Sequence, residues 1–228
     1  MSDLFNEYGR KARLFPALLC LPPFLLIKHF AIDSLLDPSL AGKLFVIALG
    51  DVSLAAVLIY LLSQVNRFIS KTFFEDKARF PTTQMLLPSS KELSSDFRSK
   101  IESKVTTDFR LSLPNSADEM ADLENARLRI NEIVALIINK VGSGKLLLQH
   151  NTEYGFMRNL IGGSVISLIA SVAGIVLFGL VFMNNTAYVI SMALSVCYLL
   201  PLLFSRPILT RYGKDYARIL FREYLGSN

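Results

Sequence analysis

LIGGSVISLIASVAGIVLFGLVFM, residues 160–183, holds no charged side chain, and neither does TAYVISMALSVCYLLPLLF, residues 186–204. Only Asn184 and Asn185 separate the two runs. Nineteen helical residues rise about 28 Å, enough for a hydrocarbon core about 30 Å thick. The pair therefore predicts two membrane spans, Leu160–Met183 and Thr186–Phe204, joined by a turn at Asn184-Asn185.

Outward from this pair, two more apolar runs lie in the first third of the chain. Leu14–Ile32 is interrupted by Pro16, Pro22 and Pro23 and by Lys28 and His29. Its prolines predict a kink near the bilayer centre, because each removes a backbone donor and clashes with the preceding turn. A re-entrant or interfacial segment is the alternative for this run. Leu44–Leu62 carries one charge, Asp51. Arg10, Lys11 and Arg13 before an apolar stretch imitate a signal peptide, but no small-x-small cleavage pattern follows, so a retained first span is expected.

Of 24 Lys and Arg residues, three precede the first run, fourteen lie between Asn66 and Arg158, and five follow Phe204. The Asp33–Lys43 loop has one and the Asn184 turn none. By the positive-inside rule, both termini and the middle segment face the cytoplasm of a bacterial inner membrane. The expected fold is an all-α membrane protein: four transmembrane helices with a helical cytoplasmic domain inserted between the second and third spans. The expected divisions are 1–65 for the N-terminal segment and first two spans, 66–158 for the cytoplasmic domain, 159–205 for the last two spans, and 206–228 for a basic amphipathic tail helix.

In the middle segment, Ser89-x-x-Glu92 reads as a capping box before the stripe Leu93, Phe97, Ile101 and Val105. Ser116-x-x-Glu119 reads as another, opening one long helix that ends at Gly142-Ser143-Gly144. Phe80-Pro81-Thr82-Thr83 and Leu113-Pro114-Asn115 read as turns or extended connectors. In the tail, Ile208, Tyr212, Tyr216, Ile219 and Leu220 share one helical face, and Arg211, Lys214, Arg218 and Arg222 form a basic stripe on another. That pattern suits a helix lying on anionic headgroups, or part of an anionic-ligand site.

No catalytic signature is present, and the chain does not read as an enzyme. Gly142-Ser143-Gly144-Lys145 lacks the first glycine of a phosphate loop and follows a helix, so it reads as a helix C-cap. No metal or cofactor is expected. Cys20 and Cys197 both fall inside apolar runs and offer neither a disulfide framework nor metal spacing.

Asp51 is the sharper feature. An acidic residue near a span centre costs about 2.5–3.5 kcal/mol, while Leu, Ile, Phe and Val return about 0.3–0.6 kcal/mol each. The span holds twelve of these and still inserts. Lys28 lies in the same half of the bilayer, so a Lys28–Asp51 pair is one reading; a pore-lining or gating carboxylate in an oligomer is the other. Gly163, Ser167 and Ser171 repeat at four residues in the third span. Small residues at that spacing let helices pack closely; Ser167 and Ser171 are also candidate pore or gating residues. Four short spans cannot surround a wide channel alone, so any pore requires a homo-oligomer.

Three stretches carry a likeness. Phe5-Asn6-x-Tyr8-Gly9-Arg10-Lys11-Ala12-Arg13-Leu14 leads into the first span, Phe80-Pro81-Thr82-Thr83 follows the second, and Asn151-x-Glu153-Tyr154-Gly155-Phe156-x-Arg158-Asn159-Leu160 leads into the third. The set resembles a family of bacterial four-span membrane proteins, some encoded in anti-phage defence loci, and is similar to the HalB membrane effectors of the Hailong system. The resemblance implies an oligomeric ion channel held inactive by a DNA oligomer that a partner nucleotidyltransferase makes. Met157 stands where a second basic residue is expected, and Pro88 interrupts a stretch that is usually more basic. Arg10, Lys11, Arg13 and Arg158, with Tyr8, Tyr154 and Phe156, then form the candidate site for a nucleotide or single-stranded nucleic acid. Basic residues neutralise phosphates, and aromatic faces stack on bases. Ordinary interfacial anchoring by Tyr and Arg at span ends is the plain alternative. The expected function is membrane depolarisation in anti-phage defence. A non-pore scaffold anchoring a cytoplasmic partner, and a small transporter using Asp51, are the other readings.

Overall fold

A computed structural model describes residues 6–35, 45–75, 79–142 and 144–227, with the backbone alone for residues 34 and 45–54. The described residues are mainly helical, without a strand. They divide into two compact units: Met1–Phe74 with Gly155–Arg206, and Glu75–Tyr154 with Pro207–Asn228.

The first unit is built on α1 (Glu7–Ile32), α2 (Phe45–Phe73), most of α7 (Lys145–Val181) and α8 (Asn185–Leu203). Among the described residues α1, α7 and α8 are long and apolar enough to cross a membrane. The second expected span, Leu44–Leu62, begins outside the described residues; α2 runs eleven residues past its expected end, to Phe73. Helix α7 likewise begins at Lys145, well before Leu160.

The prolines kink α1 where expected. Regular helix stops at Leu19, Cys20 and Leu21 form the break, and helix resumes at Pro22. Ala17, Leu21 and Leu62 bury against Phe24, Leu58, Ile59 and Ile166, and Ala31, Phe178 and Ala187 form a second cluster near Phe30 and Tyr188.

The second unit has a conventional apolar core. It contains α3 (Pro81–Met85), α4 (Ser95–Phe109), α5 (Ser116–Ala121), α6 (Leu123–Val141), the first turns of α7 and α9 (Ser205–Gly226) from Pro207 onward. Met85, Leu86, Ile101, Val105, Ile130 and Ile137 pack against Tyr216, Ala217, Leu220, Phe221 and Tyr224 of α9. The tail is thus a wall of this core rather than a separate surface helix. Its apolar face is satisfied by α4 and α6 in place of lipid.

Helix starts in this unit also differ from expectation. Helix α4 is capped by Ser94, whose Oγ accepts from the Phe97 N–H, not by a Ser89–Glu92 box. Asn115 caps α5 reciprocally with Asp118. Ser89 and Glu119, each expected in a different box, bond to one another, the Ser89 N–H reaching Glu119 Oε2 at 2.9 Å. The expected single helix from Ser116 breaks at Asp122, whose extended backbone and side chain cap α6. Phe80-Pro81-Thr82-Thr83 is an extended residue followed by the one-turn α3. Gly142 closes α6 at φ +69°, a conformation that glycine adopts without strain.

Candidate functional site

Proline has no N–H, so the carbonyl four residues before each helical proline loses its partner. In α1 these carbonyls belong to Ala12, Leu18 and Leu19, before Pro16, Pro22 and Pro23. Asn159 Nδ2 donates to the Ala12 carbonyl at 2.6 Å. The Leu18 carbonyl accepts locally from the Leu21 N–H at 3.2 Å. Tyr198 Oη donates to the Leu19 carbonyl at 2.7 Å. The kink also turns the Phe24 N–H to Leu21, and Ser167 Oγ donates to the Cys20 carbonyl at 2.9 Å. Side chains on α7 and α8 therefore replace the backbone bonds that the α1 prolines remove, as helices in lipid require.

These donors belong to a longer polar seam. On α2, Ser63, Asn66 and Ser70 share one face and are buried to 1% or less. On α7, Asn159, Ser164, Ser167 and Ser171 are buried equally. Ser70 Oγ donates to Asn159 Oδ1 at 3.3 Å. Ser171 Oγ donates to the Ser167 carbonyl at 2.7 Å, within its own helix. Gly162 and Gly163 let α2 and α7 meet here. A Cβ on Gly162 would lie 2.8 Å from the Ser70 N and against the Asn66 carbonyl; one on Gly163 would meet the Asn66 carboxamide and Cys20 Sγ.

Asn66 is the anomaly of the seam. Its side chain is fully buried, and its carboxamide bonds no nitrogen or oxygen, leaving the Cys20 thiol as a weak partner. An amide buried without partners costs about 2–7 kcal/mol. Every other polar group named in the seam forms at least one bond.

The candidate gating residues resolve differently. Ser167 and Ser171 face the seam, and both donate to backbone carbonyls. Lys28 Nζ bonds both carboxylate oxygens of Asp33, at 3.1 and 3.0 Å. The Asp51 side chain lies outside the described residues, and with it the Lys28–Asp51 pair.

The basic and aromatic candidates fall in both units. Tyr8, Arg10, Lys11, Arg13, Phe156 and Arg158 belong to the first, and Tyr154 to the second. Arg10–Leu14 is wound as a wide π-type turn, with the Phe15 N–H reaching back to Arg10. Such turns are frequent at functional sites. Arg10 is exposed, Lys11 pairs with Glu7 at 2.7 Å, and the Arg13 guanidinium sits 5.5 Å from the Tyr8 ring centre. Gly155 brings α7 close to this segment: a Cβ there would lie 2.9 Å from Tyr8 Oη. Phe156 is half-buried and Arg158 is buried. Tyr154, also buried, packs edge-on to Phe80 at 5.2 Å.

Sequence reasoning missed Asn66, Ser63, Ser70, Asn159, Ser164 and Tyr198. Their signal was a polar stripe at positions 63, 66 and 70 directly after an apolar run, beside the Gly162-Gly163 pair across the seam. Comparisons with protein-family models, with curated proteins and with solved structures find no match for the chain.

Proposed function

We propose that the chain is an oligomeric membrane effector of the bacterial inner membrane, with four spans and cytoplasmic termini, that permeabilises the membrane when a cytoplasmic anionic signal changes. In this reading the signal is a nucleotide or nucleic acid supplied by a partner nucleotidyltransferase, and the setting is anti-phage defence. The observation that carries the reading is Asn66. Its buried carboxamide, with no nitrogen or oxygen partner, is costly to keep in the described arrangement of helices. A small rotation or separation of α2 and α7 would hydrate Asn66, Ser70 and Ser164 together and line a path with polar groups. A purely structural bundle gains nothing from carrying that amide. Polar groups inside membrane helices mark ion or substrate pathways.

Four short spans cannot surround a wide channel alone, so in this reading several copies supply the pore. The test is membrane potential in bacteria after induction of the chain, followed with a potential-sensitive dye. Asn66→Leu fills the site with an apolar side chain of similar size and is expected to insert normally while abolishing depolarisation. Equal depolarisation by the wild type and Asn66→Leu would remove the seam from the mechanism. An unchanged potential with wild-type protein confirmed in the membrane would overturn the unrestrained pore.

A scaffold is the second reading, supported by the exposed Leu128 on the side of α6 turned away from its buried stripe. It predicts a co-purifying partner that Leu128→Glu releases, with no effect of Asn66→Leu.

A further inference from the structure

The basic stripe of α9 does not face lipid or open solvent evenly. With Ala217, Leu220, Phe221 and Tyr224 fixed in the core, Lys214, Arg218 and Arg222 follow one another at four-residue intervals along one flank of the helix. The segment leading into α4 lies across them. Glu92, Leu93, Ser94, Phe97, Arg218 and Arg222 line a pocket of about 180 Å3. The Glu92 carboxylate occupies its basic wall, accepting from Lys214 Nζ and, at 3.4 Å, from Arg218 Nη2. Arg218 also faces Asp215 at 3.8 Å, and Arg222 forms no ion pair among the described residues. The opposite wall is the start of α4, a 15-residue helix whose first-turn N–H groups favour anions, with Asp96 as the acidic group nearest to it.

We propose that this pocket is a site for the phosphate group of a small phosphorylated ligand, with Glu92 as a resident counter-ion that the ligand displaces. Two cations already converge on one carboxylate, so the geometry for a tetrahedral oxyanion is prepared. With Glu92 swung out, Lys214, Arg218 and Arg222 are left with Asp215 beside Arg218 and with Asp96 at the start of α4. The three cations then outnumber the carboxylates around them, which favours a phosphate monoester carrying about −1.5 to −2 at neutral pH. Guanidinium forks bind phosphate through paired charge-assisted bonds. The half-buried Phe97 ring offers an aromatic wall to the ligand's organic part. Binding at this site does not depend on the effector reading; only its coupling to permeability rests on it.

The test is calorimetric titration of the full chain in phosphatidylcholine nanodiscs, first with inorganic phosphate and then with adenosine monophosphate. Arg222→Ala changes an exposed side chain and is expected to weaken binding at least about tenfold. Glu92→Gln removes the competitor and is expected to tighten binding about two- to fivefold. The sign of that second effect separates a displaced counter-ion from a surface salt bridge. In phosphatidylglycerol nanodiscs, loss of the binding that wild type shows in phosphatidylcholine would make the lipid headgroup the source of the phosphate. Binding unchanged by either substitution, or none in wild type and Glu92→Gln alike, would overturn the site. Binding that behaves as expected while membrane potential ignores both substitutions would leave the site standing and remove its role in gating.

Discussion

The two units are built in opposite senses. In the first, serines, asparagines and alanines are buried beside a few larger side chains such as Leu62 and Phe178, while Phe68, Ile169, Leu180 and Leu203 are more than 60% exposed. In the second, Ile101, Ile130, Ile137, Leu220 and Phe221 are inside and ion pairs such as Glu92 with Lys214 lie outside. Water drives the second arrangement, since burying apolar side chains removes them from contact with it. Lipid tails offer no such drive between helices, so close packing of small residues and interhelical hydrogen bonds must hold the first together. The contrast identifies the solvent each unit was built for more directly than helix length does.

Three changes would break or sharpen that contrast. Phe221→Ala removes a fully buried ring from the second unit and is expected to cost about 3–5 kcal/mol there, read by hydrogen exchange, with α1 and α8 unaffected. Gly162→Ala places a methyl group against the Asn66 carbonyl and the Ser70 backbone, and is expected to cost the first unit about 1–3 kcal/mol by overpacking. A glycine-to-alanine change that stabilised this helix, as propensity alone predicts, would show that the seam is not tightly packed.

The smallest effect is a pH dependence confined to the second unit. Lys140 Nζ, 2.6 Å from Asp108, and the Tyr224 hydroxyl, 2.9 Å away, hold the Asp108 carboxyl below the ordinary carboxylate range. A lowered folded-state value adds stability that is present above the unfolded value of about 3.9 and is lost as pH falls through the folded one. Thermal unfolding of the second unit should therefore weaken below about pH 4, and Asp108→Asn should flatten that dependence.

The helices of the first unit were legible because long charge-free runs suit lipid and little else, and the α1 kink was legible from Pro22 and Pro23. The seam was not. Ser63, Asn66 and Ser70 follow an apolar run and look like its exit into water, because polarity in sequence does not distinguish a solvated face from one pressed against another helix. The tail was ambiguous for the converse reason: Tyr216, Leu220 and Phe221 define an apolar face without saying whether lipid or protein covers it. The Ser89–Glu92 pattern failed because the Glu92 carboxylate goes to a lysine 122 residues away, a partner that local spacing cannot reveal.

The prolines of α1 also set a timetable. The Ala12 and Cys20 carbonyls await donors 147 residues later in the chain, and the Leu19 carbonyl one 179 residues later. At about 5–20 residues per second, a ribosome takes on the order of ten to thirty seconds to deliver them. Throughout that interval the nascent first helix has three backbone oxygens that lipid cannot satisfy. It must be sheltered by an insertase, or remain at the wet interface, until Asn159, Ser167 and Tyr198 arrive, so the order of synthesis makes the first helix the last to settle.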